Sequence, residues 1–337
     1  MTHIGFDVLT VGNAIVDTVA CVEDDFLIAE NIKKSAMNII DANRAEHLYS
    51  VIKPLLQTSG GSASNTAAGL ASLGSRSAYF GKISNDPLGD IFTHDMQVMG
   101  ISFGVTPLRG NPLTAQSIIL ITPDGERTMN TYLGACMEFS PEDIEVDVVS
   151  ASQITYFEGY LWDSPHAKEA IRLAIAIAHD HNHQVAITLS DSFCVDRHRD
   201  DFLQLMTTGT VDIVFANEAE IKSLYQKDDI ATIISAVRQD VALSALTLGE
   251  RGSIVVTREN IVEVPAYPIE TFVDATGAGD LYASGFLYGL TNNLEMYDCA
   301  RIGGLAAAEV IQHIGPRPKV SLKERLQQSE LYKIFSI

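Results

Sequence analysis

The segment Asp274-Ala-Thr-Gly-Ala-Gly-Asp280 holds the residues best suited to chemistry in this 337-residue chain. Gly277 and Gly279 strip side chains from a turn, which lets successive backbone N–H groups point at one anion. Asp280 stands where Leu281-Tyr-Ala-Ser-Gly-Phe-Leu-Tyr-Gly-Leu290 begins to read as a helix. An anion cradle beside a carboxylate is what phosphoryl transfer to an alcohol requires. The cradle holds the transferring group, and the carboxylate takes the hydroxyl proton. A plain glycine-rich turn capped by Asp280 would use the same residues. The late position, after several strand–helix units, matches a ligand site at strand carboxyl ends and favours chemistry. The amides of Gly277, Ala278 and Gly279 are the expected anion hole and Asp280 the expected general base. Asp274 and Thr276 are placed around a monovalent cation that props the turn.

Five further constellations are each open to a plain and a functional reading. Gly60-Gly-Ser-Ala-Ser-Asn65 leads into a helix but lacks the Lys-Ser/Thr ending of a Walker A loop. Asn65 there is either a helix cap or, as a group with both donor and acceptor, a reader of hydroxyls. Gly12-Asn-Ala-Ile-Val-Asp17 follows a short apolar run; Asp17 is a surface loop residue or accepts hydrogen bonds from two adjacent sugar hydroxyls. Asn217-Glu-Ala-Glu220 suits a helix N-terminus, or a shell of water around Mg²⁺ and phosphate. Thr247-Leu-Gly-Glu-Arg-Gly252 is a tight turn between strands, or one wall of a nucleotide pocket. Arg127 leaves a hairpin turn either solvated or closing over transferring phosphate. His179, His181 and His183 end a helix, where histidine is favourable, and read as surface residues.

The elements that must position these groups alternate. Apolar runs at Val8–Gly12, Ala78–Gly81, Gln184–Leu189, Val211–Ala216, Leu243–Leu248 and Ser253–Thr257 read as buried strands. Helical periodicity covers Asn65–Leu73, stopped by Gly74, and then Ala167–His179, Glu218–Tyr225 and about Leu294–His313. Such alternation predicts an α/β fold with a mostly parallel sheet flanked by helices. Ala115–Thr122 and Arg127–Tyr132, joined through Asp124-Gly125, break the rhythm as a β-hairpin. With strands from Thr18–Cys21 and Asn38–Ile40, the hairpin is expected to form a small β-sheet lid, inserted at about residues 16–42 and 105–137 of a single domain spanning 1–337.

Composition sets outer bounds. The chain is 46% hydrophobic and 20% charged, enough for a large core. A formal net charge of -20 opposes nucleic acid and anionic membrane as partners. Cys21, Cys136, Cys194 and Cys299 form no CxxC pair and show no zinc spacing, which points to a reducing, cytoplasmic setting. Met1–Asp7 lacks the basic start and apolar run of a secretory leader. No apolar stretch approaches the ~20 residues a membrane span needs.

In this order along the chain, the motifs resemble the PfkB family of carbohydrate and nucleoside kinases, also called ribokinase-like. The resemblance runs from Asn13 and Asp17 through Gly60-Gly61 with Asn65, Gly81-Lys-Ile-Ser-Asn-Asp-Pro-Leu-Gly89, Asn217 with Glu220 and Thr247-Leu-Gly249 to Asp274–Asp280. It implies a ribokinase-like α/β fold with a β lid, ATP as phosphoryl donor, Mg²⁺ and often K⁺. Within the family the chain is most similar to adenosine kinases. That similarity implies 5′-phosphorylation of a ribonucleoside, with Asn13 at the base and Asp17, Gly61 and Asn65 at the ribose. It also places Arg127 as the lid arginine, Asn217, Glu220, Thr247, Gly249 and Gly252 on the donor side, and Glu220 near Mg²⁺ through water. Gly315 joins Asp274 and Thr276 as a candidate for the monovalent cation. Met37, Ile39, Tyr160 and Trp162 are candidates for an apolar slot around a purine, although such side chains are as often plain core. Many relatives carry His or Asn near position 304, close to the donor adenine; here the stretch is Arg301-Ile-Gly-Gly304.

A sugar kinase acting on ribose, fructose or a keto-deoxy sugar acid would share these motifs. A catalytically silent nucleoside- or sugar-binding protein would keep the fold without needing Asp280. A dinucleotide oxidoreductase fails, because the first strand leads into Gly-Asn-Ala-Ile and not GxGxxG. The sequence leaves monomer and homodimer open.

Overall fold

The computed structural model describes residues 5–336, so part of the N-terminal stretch read above for a leader lies outside the described residues. The apolar runs assemble into an eight-stranded sheet. Its order is Ile261–Val264, Ser253–Thr257, Leu243–Thr247, Ile213–Asn217, Gln184–Thr188, Ser152–Glu158, Phe6–Val11 and Ser77–Phe80. The last six strands are mutually parallel; at one edge Ser253–Thr257 pairs antiparallel with Leu243–Thr247, and Ile261–Val264 pairs antiparallel with Ser253–Thr257. The runs are continuous and not alternating because both sheet faces are covered. In the strand Phe6–Val11, Leu9 and Val11 join one core with Phe157 and Ile187, while Val8 joins the opposite core with Ile154 and Phe286.

The helices follow the periodicity with shifted ends. The stretch read as Ala167–His179 is the helix Pro165–Asp180, Glu218–Tyr225 keeps its bounds, and the last long helix is Met296–Val310. The helix expected from Asn65 begins at Ser62 and ends at Gly74. Its cap is Gly61, at φ 94°, so Asn65 lies inside the helix and does not cap it. A left-handed residue lets the strand Leu56–Gly60 turn straight into the helix. It also carries Asn65 one turn inward, onto the face that meets the helix Ala278–Thr291.

A second, five-stranded sheet has the order Met37–Ile39, Arg127–Tyr132, Ala115–Ile121, Ile15–Cys21 and Leu56–Gly60. The expected hairpin is present and antiparallel, with Gly125 N–H donating to the Thr122 carbonyl at 2.8 Å. Leu56–Gly60 adds a strand that no alternation of apolar residues announces. One face of this sheet packs under the helices Asp24–Ala29 and Ala42–Val51 through Ala20, Ile118, Leu120, Leu27 and Leu48. Pairing register puts Asp17, Ser117, Thr131 and Ile39 in one row of the other face. Leu56, Val19, Ile119, Met129 and Met37 form the next row. Among the described residues no helix is long and apolar enough to cross a membrane.

Candidate active site

Parallel strands of the large sheet end together, and their following turns gather the polar residues picked out above. Asn13 follows Phe6–Val11, Glu158 closes Ser152–Glu158, Asn217 closes Ile213–Asn217 and Thr247 closes Leu243–Thr247. A cavity of about 250 Å³ opens at these ends, lined by Ser62, Asn217, Glu220, Thr247, Gly279 and Asp280 among others.

Asp280 lies in the first turn of the helix Ala278–Thr291, which starts after Gly277 at φ 79°. A Cβ on Gly277 would come within 2.6 Å of the Pro316 carbonyl oxygen, so the position excludes side chains by contact as well as by conformation. Ser62 Oγ donates to Asp280 Oδ1 at 2.6 Å, and Asn65 Nδ2 donates to Oδ2 at 3.0 Å. Burial pushes the Asp280 carboxyl up to about 6, opposed by the bonds from Ser62 and Asn65 and by the charge of Arg317. The backbone amides of Gly277, Gly279 and Asp280 have no partner among the described residues. Ala278 departs from expectation: its N–H donates to the Ala275 carbonyl at 3.1 Å and closes the turn. The free donors beside the carboxylate are therefore those flanking Ala278.

Two groups absent from the sequence reading complete the site. Glu158, 1% exposed, accepts from Asn13 N–H at 2.9 Å and Ala63 N–H at 2.8 Å. It ties the Gly12-Asn13 turn to the start of the helix Ser62–Leu73. Burial raises its carboxyl to about 7 against those two amide bonds. The only sequence sign was a carboxylate ending an apolar strand. Arg317 is the second. Its Nη1 donates to Ser59 Oγ and its Nη2 to Ser64 Oγ, both at 2.6 Å, and its Nε donates to Asn65 Oδ1 at 3.3 Å. Burial lowers the guanidinium to about 10, with Asp17, Asp95 and Asp280 acting the other way. Its sequence surroundings, Gly315-Pro-Arg-Pro318, carry no periodic signal.

The small sheet brings its bare face to the same place. Asp17, half-buried, sits opposite Thr58 and Ser117 in the register. Burial raises its carboxyl to about 6, opposed by the charges of Arg317 and Arg127. Arg127 reaches across to the glycine turn, yet its partners there are not those expected. Nη1 pairs with Asp274 Oδ2 at 2.7 Å and donates to Thr276 Oγ1 at 3.0 Å. Asp274 also accepts from Thr276 Oγ1 at 2.7 Å and from Gly315 N–H at 3.1 Å. The three residues offered for a monovalent cation thus do come together, with the lid arginine on the same carboxylate. Met37 and Ile39 share the lid face with Arg127 and are 51% and 61% exposed.

On the other side, Asn217 and Glu220 form a reciprocal cap. Asn217 N–H donates to Glu220 Oε2 and Glu220 N–H to Asn217 Oδ1, each at 2.9 Å. Burial lifts Glu220 to about 7. The plain reading as a cap holds, and the cap also presents both residues to the cavity. Gly249 and Gly252, at φ 61° and 91°, shape the turn after Thr247 without lining the cavity. Gly304 faces Tyr267.

Two aromatic expectations need correction. Trp162 is 1% exposed, stacks on Phe157 at 5.6 Å and donates its Nε1–H to Asp201 at 3.0 Å. It is core, packed in one cluster with Phe157 and Phe202. Tyr160 lines the cavity on the side of the glycine turn, with its hydroxyl on Asp191 at 2.7 Å, and not the lid slot.

A model of the pfkB family carbohydrate kinases matches residues 35–322. The chain belongs to that family. This pfkB-family kinase is a phosphotransferase with an alcohol group as acceptor. It is 56% identical to an adenosine kinase structure from Sinorhizobium meliloti, at a TM-score of 0.89 over 96% of this chain and 99% of that one. A structure of a probable sugar kinase protein from Rhizobium etli CFN 42 is 54% identical, at a TM-score of 0.91 over 98% and 100%. The adenosine kinase of Saccharomyces cerevisiae is 26% identical over 331 residues, 91% of this chain and 95% of its own.

Proposed function

We propose that this pfkB-family kinase transfers the γ-phosphoryl group of ATP to the 5′-hydroxyl of a ribonucleoside, adenosine before others, as one cytoplasmic kinase domain across residues 1–337. The observation that carries the reading is the Asp280 carboxylate, aimed by Ser62 and Asn65 beside the unpartnered amides of Gly279 and Asp280. The 56% identity to a protein described as an adenosine kinase supports the acceptor.

The residues present fit a nucleoside triphosphate with Mg²⁺. Free amides at a helix N-terminus suit phosphate oxygens, and Asn217 with Glu220 suits the water shell of the ion. When bound, MgATP supplies the electrophilic phosphoryl group and part of the charge neutralisation. The chain's own groups do the rest. Asp280 accepts the hydroxyl proton, with its orientation fixed from two sides by Ser62 and Asn65. Asp17 accepts from the vicinal ribose hydroxyls, while Asn13, Gly61 and Asn65 line the same pocket. The row Val19, Ile119, Met129 and Met37 covers the base with apolar and thioether surface. Thr247 walls the donor nucleotide, and the turn through Gly249 and Gly252 shapes the chain behind it. K⁺ at Asp274, Thr276 and Gly315 would share Asp274 with Arg127, so in this closed arrangement we assign the propping of the turn to Arg127. Arg127 anchors the lid to the glycine turn of its own chain, which supports a lid that covers its own site in a monomer or a homodimer. Lid closure excludes water from the phosphoryl group.

A coupled assay with ATP across nucleosides and sugars tests the acceptor. Turnover of adenosine above ribose, fructose and keto-deoxy sugar acids is expected. Turnover of a sugar with none of adenosine would establish the sugar kinase reading, which the Rhizobium etli likeness also supports. Binding without turnover of any acceptor would make the chain a silent binding protein.

A further inference from the structure

The segment Gly315–Arg317 touches the glycine turn, the helix Ser62–Leu73 and the strand Leu56–Gly60 without carrying any group that reacts. Gly315 N–H holds Asp274, Pro316 packs against Gly277, and the Arg317 guanidinium spans three residues at the start of the helix Ser62–Leu73, the acceptor helix, and the end of the lid strand Leu56–Gly60. The bond from Arg317 Nε to Asn65 Oδ1 has a definite consequence. An amide has one acceptor end and one donor end. With Oδ1 committed to the guanidinium, Nδ2 must face Asp280, where it donates at 3.0 Å. A flipped Asn65 would set two donors against each other at Arg317 and two acceptors against each other at Asp280.

The charge matters as well as the fork. The groups that face Asp280 are Ser62 and Asn65 from the acceptor helix, Tyr156 and Glu158 from the strand Ser152–Glu158, Glu220 from the next helix, and Arg317. Arg317 is the one cation among these. It is itself faced by Asp17, Asp95, Tyr79 and Asp280. Asp95 is held off by its bonds from Ser59 N–H at 2.8 Å and Ser59 Oγ at 2.9 Å, so it reaches the guanidinium only through the serine. No carboxylate oxygen lies within ion-pair distance of Arg317 among the described residues. A half-buried guanidinium spent on two serines, one amide and the Met99 thioether, with no carboxylate partner, gains little stability for its desolvation, which argues for a role beyond packing.

We propose that Arg317 is a positioning residue for proton transfer: it fixes the amide of Asn65 toward Asp280 and supplies the positive charge that keeps Asp280 ionised as the base. The inference rests on the reading of Asp280 as the base in phosphoryl transfer.

The test compares wild type with R317Q and R317K on whichever acceptor wild type turns over best, following kcat and kcat/KM against pH. Gln keeps hydrogen bonding and removes charge; Lys keeps charge and removes the fork. R317Q should lower kcat/KM for the acceptor by at least about 10-fold and move the midpoint of the acid limb of kcat upward by about one pH unit, the scale of losing one nearby opposite charge. R317K should restore the midpoint but not kcat/KM. An unmoved midpoint in folded R317Q overturns the proposal, whether or not kcat falls, and leaves Arg317 a packing role. Should R317Q fail to fold, R317K decides: kcat/KM within about twofold of wild type overturns the positioning role. Infrared difference spectra report the protonated Asp280 carbonyl band, assigned with D280N, without any turnover. A wild type inactive on every acceptor would then refute the base reading, while a band that persists to higher pH in R317Q would still support the charge role and an unmoved band would overturn it.

Discussion

Replacing Asp280 by asparagine should remove activity and stabilise the protein at the same time. The carboxyl rises from 3.8 to about 6 because burial disfavours its charge. At about 1.36 kcal/mol per pH unit, ionising it in the folded chain costs on the order of 3 kcal/mol above pH 7. Asparagine avoids this cost and fits the same bonds. Its carbonyl can accept from Asn65 Nδ2 as Asp280 Oδ2 does, and its NH₂ can meet Ser62 Oγ, whose hydroxyl turns to accept. Allowing for partial solvent contact and for a weaker bond from a neutral acceptor, the net gain at pH 8 is about 1–3 kcal/mol. The sign follows from the raised folded value. Below about pH 4 both folded and unfolded wild type are protonated and the two proteins should be equally stable. Between about pH 4 and 6 the unfolded chain ionises first, so wild type loses stability and the difference grows; above about 6 it is complete. Urea or thermal melts at pH 4, 5, 6 and 8 measure the difference, and a coupled assay at pH 8 measures kcat, expected to fall at least ~100-fold. A pH-independent difference, or a less stable Asp280→Asn at pH 8, would refute the burial argument; kcat within about tenfold of wild type would refute the base.

Three further expectations concern the parts around Asp280. Asp17→Ala should raise the acceptor KM at least about 10-fold with kcat within a few-fold, and an unchanged KM would remove Asp17 from the ribose. Arg127→Ala cuts the 2.7 Å link between lid and glycine turn, so ATP hydrolysed per acceptor phosphorylated should rise several-fold as water enters; a ratio equal to wild type counts against the lid role. Gly277→Ala places a Cβ against Pro316 at φ 79°, a left-handed strain of about 1–2 kcal/mol before the clash. Its kcat/KM for ATP should drop at least about 10-fold, which a titration of initial rate against ATP checks.

The geometry of the glycine turn was legible in the sequence because it is local. Two glycines, a carboxylate and a helix onset lie within seven consecutive residues, and local backbone geometry follows from them. The same holds for the hairpin at Asp124-Gly125 and for the buried strands, whose apolar runs need no partner to be recognised. Residue type alone failed where a side chain had two places to go. Trp162 is as good a purine platform as a core residue, and only packing against Phe157 and Phe202 decided for the core. Residue type leaves Asn65 either a cap or a reader of hydroxyls, and only the left-handed Gly61, which moves the helix start to Ser62, excludes the cap.

What the sequence by itself determined is the glycine turn with its carboxylate and the α/β frame that carries them to the carboxyl ends of the strands. What only the tertiary structure decided is the set of partners that tune them. Ser62 and Asn65 stand more than two hundred residues from Asp280 along the chain. Glu158 binds amides on two distant turns, and Arg317 joins the lid strand to the acceptor helix from a loop with no pattern of its own, whose Gly315 and Pro316 meet the glycine turn. Such contacts depend on which strand lies beside which, and so on the sheet order as a whole. Burial, which sets the charge state of Asp17, Glu158, Glu220 and Asp280, exists only once those layers have closed over them.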